Sequence, residues 1–254
     1  MMTSNPQQFK AATDNTTAMT QNVAQAMEAL DRAMHRPVHL PGLVGFYGPS
    51  GYGKSVAAAY TATDKNALYL ECRDSWTRKS FLLALLKEMG IKPEATIAEM
   101  MDQASQELAL SERPLIIDEV DKPIDKNYIE LIRDLHEGAG GVAMLLIGEE
   151  KLELKLRRFE RVHNRVLEWL PALPADIEDT RLLAGLYCPD LEITDELLQL
   201  VLQTTLGVTR RIAINLSRIG TLADLHPPEG PATPQWWGDR EIYTGEAPKR
   251  RVRR

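Results

Sequence analysis

Residues 48–55 read Gly48-Pro49-Ser50-Gly51-Tyr52-Gly53-Lys54-Ser55 and follow an apolar run at 43–47. This is the spacing of a Walker A phosphate loop. A strand delivers such a loop, its backbone N–H groups wrap a β-phosphate, and the next helix aims its positive end at the same anion. The glycines let the backbone curl without a Cβ clash. Lys54 has the reach for β- and γ-phosphates, and the Ser55 hydroxyl suits Mg²⁺. A second pattern stands at 114–121, Pro-Leu-Ile-Ile-Asp-Glu-Val-Asp. An apolar strand closing in Asp118-Glu119 is a Walker B signature. Asp118 would hold the Mg²⁺ shell, directly or through water, and Glu119 would polarise an attacking water. Together the two patterns imply binding of a nucleoside triphosphate with Mg²⁺.

Such residues work only if strands and helices bring them to one edge. Five short apolar runs, at 43–47, 67–72, 114–118, 142–147 and 166–170, read as buried strands of a mostly parallel sheet. Helical patterns separate them at 55–63, 75–89, 97–110 and 128–137, with a shorter one near 151–159. Strand and helix in alternation mean an α/β fold with crossover connections. Before the first strand, Val23, Met27, Leu30 and Met34 recur at helical steps and predict a helix over 20–35 with an apolar stripe. After Trp169 the strands stop, and 175–187, 195–205 and 209–222 read as helices of a smaller all-helical domain. Thr194 is placed to cap the second of these. Beyond His226 the run Pro-Pro-Glu-Gly-Pro-Ala-Thr-Pro reads as a stiff linker.

Composition narrows the class. The chain has 254 residues, 44% hydrophobic and 26% charged, as in an ordinary soluble protein. No apolar stretch approaches the roughly 20 residues that span a bilayer, and the first residues lack the basic and apolar regions of a secretory signal. Cys72 and Cys188 have no metal-ligand spacing and are expected as buried thiols in a reducing cytoplasm. Lys249, Arg250, Arg251, Arg253 and Arg254 carry five positive charges, so the rest of the chain stands at −11 against a net −6.

That tail is one candidate for phosphate contacts with nucleic acid, through a salt-sensitive and sequence-independent term. It reads equally as a solubilising end or a partner-docking peptide. The other candidate follows the second strand, where a helix starting near Ser75 would present Thr77, Arg78 and Lys79 in its first turns. Those residues describe a solvated helix start equally well.

A phosphate loop, a strand ending Asp-Glu, five strands and a trailing helical lid together resemble the AAA+ ATPases. The resemblance implies an α/β P-loop domain with a five-stranded parallel sheet, helices on both faces, and a small helical lid. It implies a sensor-2 arginine at Arg210, in Gly207-Val-Thr-Arg210, that touches bound ATP. It also implies an arginine finger given to a neighbouring subunit, with Arg165 placed best and Arg161 second among Arg157, Arg158, Arg161 and Arg165. Sensor 1 departs from the family pattern: the fourth strand runs into Glu149-Glu150, where a neutral polar residue is usual.

Within that class, residues 20–220 resemble the phage Mu transposition protein B family. The carrying segments are 48–55, 115–121, 145–148 with Lys151-Leu152, and Asn164-Arg165-Val166. This implies a DNA-binding ATPase of bacteriophage-type transposition. Such a protein self-associates with ATP into an oligomer or helical filament on double-stranded DNA, delivers that DNA to a transposase, and stimulates strand transfer in the bacterial cytoplasm without a membrane partner. A helicase loader, a secretion-associated ATPase and a monomeric signalling switch are the alternatives. The implied domains are an arm and helix over 1–36, the nucleotide-binding domain over 37–172, the lid over 173–226, and linker plus basic tail over 227–254. The family's Mu member has an N-terminal helix-turn-helix domain, for which 1–36 is too short.

Overall fold

The computed structural model describes residues 17–247, so the arm at 1–16 and the five tail cations from Lys249 to Arg254 lie outside the described residues. The described chain divides into two compact units, 22–173 and a second made of 17–21 with 174–247.

The first unit is built on a five-stranded parallel sheet of β1 (Leu43–Tyr47), β2 (Leu68–Glu71), β3 (Leu115–Asp118), β4 (Met144–Gly148) and β5 (Val166–Pro171). The strand order is β2-β3-β4-β1-β5, and every pair is parallel. All five strands therefore end on one edge, where loops from separate parts of the chain meet. Alternation along each strand feeds two cores. Leu115, Ile117, Met144 and Leu146 face a cluster with Leu82, Leu85 and Leu86 of α3 (Arg78–Glu88) and Met100 and Leu108 of α4 (Ile97–Ser111). Val44, Phe46, Ile116, Leu145 and Ile147 face the other way. They meet α1 (Gln21–Met34) and α2 (Lys54–Asp64). Such strands, buried on both faces, read as continuous apolar runs.

Helix α1 buries Asn22, Val23, Ala26, Ala29, Leu30 and Ala33, while Met27 and Met34 are only half-buried. The expected stripe of Val23, Met27, Leu30 and Met34 faces this core, with the methionines packed at its margin, and Ala26, Ala29 and Ala33 widen the buried face. Small side chains let the helix lie close to the sheet. The helix expected near 151–159 is broken. Short helices α5 (Asp121–Asp125) and α6 (Glu130–Gly138) precede β4, and α7 (Leu152–Leu156) and α8 (Glu160–His163) follow it. The break falls at Phe159, whose φ of −118° and ψ of 69° are not helical.

The second unit is helical: α9 (Ile177–Tyr187), α10 (Asp195–Thr205), α11 (Thr209–Leu225) and the short α12 (Pro234–Trp237). Asp176 caps α9 by accepting from the Asp179 N–H at 2.9 Å. Thr194 stands at the N-cap of α10, but its hydroxyl makes no capping bond. The Thr194 amide instead donates to the Ala232 carbonyl at 3.0 Å. Gly207 enters α11 with φ 70°, and a Cβ there would lie 2.8 Å from the Pro174 side chain, so only glycine fits this turn.

Residues after His226 are not the free linker that their proline content implies. Ala232, Trp237 and Ile242 are buried in the core of this unit, and Ile193 bridges to Ala232 as a parallel pair. The buried Asn215 side chain grips Tyr243, donating to its carbonyl at 2.9 Å and accepting from its amide at 2.8 Å. Prolines fix φ and remove donors, but the few apolar residues between them still find a core. Trp237 is 2% exposed, and its indole N–H donates to the Arg240 carbonyl at 2.9 Å. Trp237→Ala should therefore destabilise this unit by about 3–5 kcal/mol. Urea unfolding followed by far-ultraviolet circular dichroism checks this, and a midpoint within error of the wild type would contradict it.

Candidate nucleotide site

Between the end of β1 and the start of α2 the chain makes the loop read from sequence. Gly53 takes the left-handed conformation, φ 82° and ψ 10°, directly before the helix. A side chain at that position would cost strain. Lys54 opens α2 and folds back over the loop, with Nζ donating to the Gly48 carbonyl at 2.7 Å and the Pro49 carbonyl at 2.9 Å. Its ammonium is half-buried, and that burial lowers its pKa. The charges of Asp118, Glu119, Asp121 and Glu149 oppose the shift, so the field of four carboxylates acts on this one cation. Ser55 is exposed beside it.

Asp118 closes β3 and is 3% exposed. Both carboxylate oxygens are engaged: Oδ1 accepts from the Glu119 amide at 2.8 Å, and Oδ2 accepts from the Tyr69 hydroxyl at 3.1 Å. Burial and the neighbouring Asp118 push the Tyr69 pKa up, so the phenol remains a donor. Glu119 turns the chain out of the strand at φ 58°, a left-handed conformation that glutamate seldom adopts. Its carboxylate lies 3.3 Å from the Lys122 ammonium, which also donates to the Cys72 carbonyl at 3.1 Å.

Asp121 ties this turn to the end of β4. It accepts from the Glu149 amide at 2.7 Å and pairs with Lys155 at 2.9 Å. The acid expected at the sensor-1 position thus has its backbone fixed by a second acid. Asn22 braces the phosphate loop from the other side. Its amide donates to the Tyr52 and Leu173 carbonyls, both at 2.8 Å, and accepts from the Leu173 amide at 2.9 Å.

The donor set suits one cation in particular. A serine hydroxyl and a buried carboxylate are hard oxygen ligands and few in number. Mg²⁺ accepts such a site because it keeps waters and takes the remaining oxygens from substrate phosphates. Ser55 and Asp118 are the residues that would hold it.

The remaining sequence candidates lie elsewhere. Arg165 sits at the amino-terminal end of β5, its carbonyl accepting from the Leu43 amide at 3.1 Å. The phosphate loop leaves the opposite end of β1, so Arg165 cannot serve the site of its own chain. Its guanidinium pairs with Glu137 at 2.7 Å. Arg161, on α8, is exposed and has no hydrogen-bond or ion-pair partner among the described residues. Arg157 pairs with Glu153 at 2.6 Å. In the second unit, Arg210 is the second residue of α11 and is exposed.

The helix start after β2 differs from expectation. Helix α3 begins at Arg78, not near Ser75, because Thr77 is extended and its hydroxyl accepts from the Ser80 amide at 3.3 Å. Asp74 and Ser75 instead form a turn closed by the Trp76 amide on the Arg73 carbonyl at 3.0 Å. Thr77 is thus used as a cap, and its helix end is not free. Lys79 reaches the Ala95 carbonyl at 3.1 Å and Arg78 the Asn127 carbonyl at 3.5 Å, yet both remain exposed. Cys72 and Cys188 are free and buried, as expected, and burial pushes the Cys72 thiol up to about 12.

Residues 38–156, just under half of the chain, match the family model described as an AAA domain. A solved structure of the Orc1 protein of Aeropyrum pernix in complex with DNA superposes with a TM-score of 0.61 at 17% identity, covering 90% of this chain and 67% of that one. The fold is that of the AAA+ P-loop ATPases. Cdc6p of Pyrobaculum aerophilum gives a TM-score of 0.62 at 15% identity over 89% of this chain and 68% of its own. A RuvB variant from Thermotoga maritima gives 0.55 at 16% identity over 83% and 64%. No curated protein sequence matches the chain. Among the described residues, no helix is long and apolar enough to cross a membrane.

Proposed function

We propose that this chain is an ATP-hydrolysing AAA+ protein that assembles on double-stranded DNA. One observation carries the reading: Lys54, Asp118, Glu119 and the end of β4 meet at the carboxyl edge of a single sheet. ATP with Mg²⁺ binds there. Lys54 neutralises phosphate charge and Glu119 activates water; a sensor role for Arg210 rests on the sequence resemblance alone. The finger comes from a second copy, since Arg165 stands at the far end of the sheet from its own phosphate loop. Arg161 is the freer of the two arginines, because Glu137 holds Arg165. Arg78 and Lys79 at the start of α3, together with the tail cations, supply phosphate contacts. The finer assignment is selection of target DNA for a transposase, which rests on the sequence resemblance to the Mu transposition protein B family and implies a bacterial cytoplasm.

Steady-state ATPase assays with and without duplex DNA test this. DNA should stimulate turnover. Either Arg161→Ala or Arg165→Ala should lower turnover by about a thousandfold, the scale of a finger arginine, with nucleotide affinity kept. Mixing that variant with Lys54→Ala subunits should restore part of the rate. Turnover that ignores DNA and survives both substitutions would sink the assembly reading. Stimulation by a replicative helicase, with none by duplex, would move the assignment to a loader.

A further inference from the structure

The phosphate loop and the Asp-Glu strand end were visible in the sequence, but the group that holds Asp118 in place was not. Tyr69 lies on β2 and Asp118 on β3. In the parallel register Tyr69 pairs with Ile116, so Asp118, two residues further, projects from the same face of the neighbouring strand. A tyrosine spans that diagonal, and its hydroxyl donates to Oδ2 of Asp118 at 3.1 Å. The Glu119 amide holds Oδ1 at 2.8 Å. With one donor on each oxygen, a carboxylate that is 3% exposed has a fixed rotamer and a fixed set of remaining lone pairs. The Tyr69 ring is half-buried against the core that contains Ile116, so the hydroxyl is itself anchored.

We infer that Tyr69 is a positioning residue for the divalent cation: through its hydrogen bond it aims the Asp118 carboxylate at the Mg²⁺ that accompanies a bound nucleoside triphosphate. This rests on the Mg²⁺–nucleotide reading above. Outer groups that orient a metal-binding carboxylate typically change metal affinity by 10–100-fold when removed. Tyr69→Phe removes only the hydroxyl and keeps the ring in its packing.

The test titrates Mg²⁺ into the full chain with a fluorescent ATP analogue held at fixed concentration, alongside a titration of the analogue in EDTA. In Tyr69→Phe the EDTA affinity should stay within about twofold of the wild type, and the Mg²⁺ midpoint should rise about tenfold or more. In an Asp118→Asn background, Tyr69→Phe should add less than twofold. A Mg²⁺ curve that superposes on the wild type overturns the inference. So does an equal further loss in the Asp118→Asn background, because the hydroxyl would then act elsewhere. Wild-type binding that ignores Mg²⁺ altogether overturns the parent reading first, and this result is distinguishable because it needs no variant.

Discussion

Lys54→Met should weaken ATP binding by a hundredfold or more, measured as the dissociation constant of a fluorescent ATP analogue. The physical reason lies in what surrounds the ammonium. Four carboxylates, Asp118, Glu119, Asp121 and Glu149, stand close enough to act on its charge. Without the lysine, a polyanionic phosphate would approach an acidic pocket with no fixed cation on the loop. In the structure Nζ satisfies the Gly48 and Pro49 carbonyls at 2.7 and 2.9 Å, so it is already directed into the loop. A hydrogen bond to a charged group contributes about 1.5–3 kcal/mol. Two such bonds to phosphate oxygens, lost together, amount to at least about 3 kcal/mol, which is a hundredfold in affinity. Methionine keeps the apolar stem and its packing, so thermal unfolding should change little. Unchanged ATP affinity in a folded variant would remove the phosphate-loop assignment.

What the sequence could convey divides along physical lines. The three central strands β1, β3 and β4 were legible because each is buried on both faces, which forces runs such as Leu115–Ile117 and Met144–Ile147 to be apolar throughout. The glycines of the phosphate loop were legible for a related reason: a left-handed residue before α2 leaves little choice of side chain. Local competition was harder to read. Ser75 and Thr77 can both cap a helix, and the turn at Asp74-Ser75 decides for Thr77. In the second unit a proline-rich stretch hid three core residues, because Ala232, Trp237 and Ile242 follow neither a helical nor a strand period. The partners of the site were not legible at all. Asn22 reaches Tyr52 across 30 residues and Leu173 across 151, and Tyr69 reaches Asp118 across 49. No local pattern announces a bond that only the folded sheet creates.

Glu119→Gln should bind ATP with an affinity within a few-fold of the wild type while losing about 10²–10⁴ in turnover, the range for a removed general base. The amide matches the carboxylate in size but cannot take a proton from water. The backbone cost of Glu119 at φ 58° is the same for both residues, so the variant should fold as the wild type does. Loss of the charge also releases Lys122, whose ammonium lies 3.3 Å from Glu119 and retains the Cys72 carbonyl at 3.1 Å. The freed cation leaves less negative charge around the bound phosphates, so ATP affinity should rise rather than fall. Turnover and affinity therefore move in opposite directions, a pattern that misfolding does not produce. Stopped-flow binding and single-turnover hydrolysis on the same preparation separate the two quantities. Wild-type turnover in the variant would transfer the base role to another acid of the cluster, with Glu149 next, since Asp121 fixes its backbone at the end of β4.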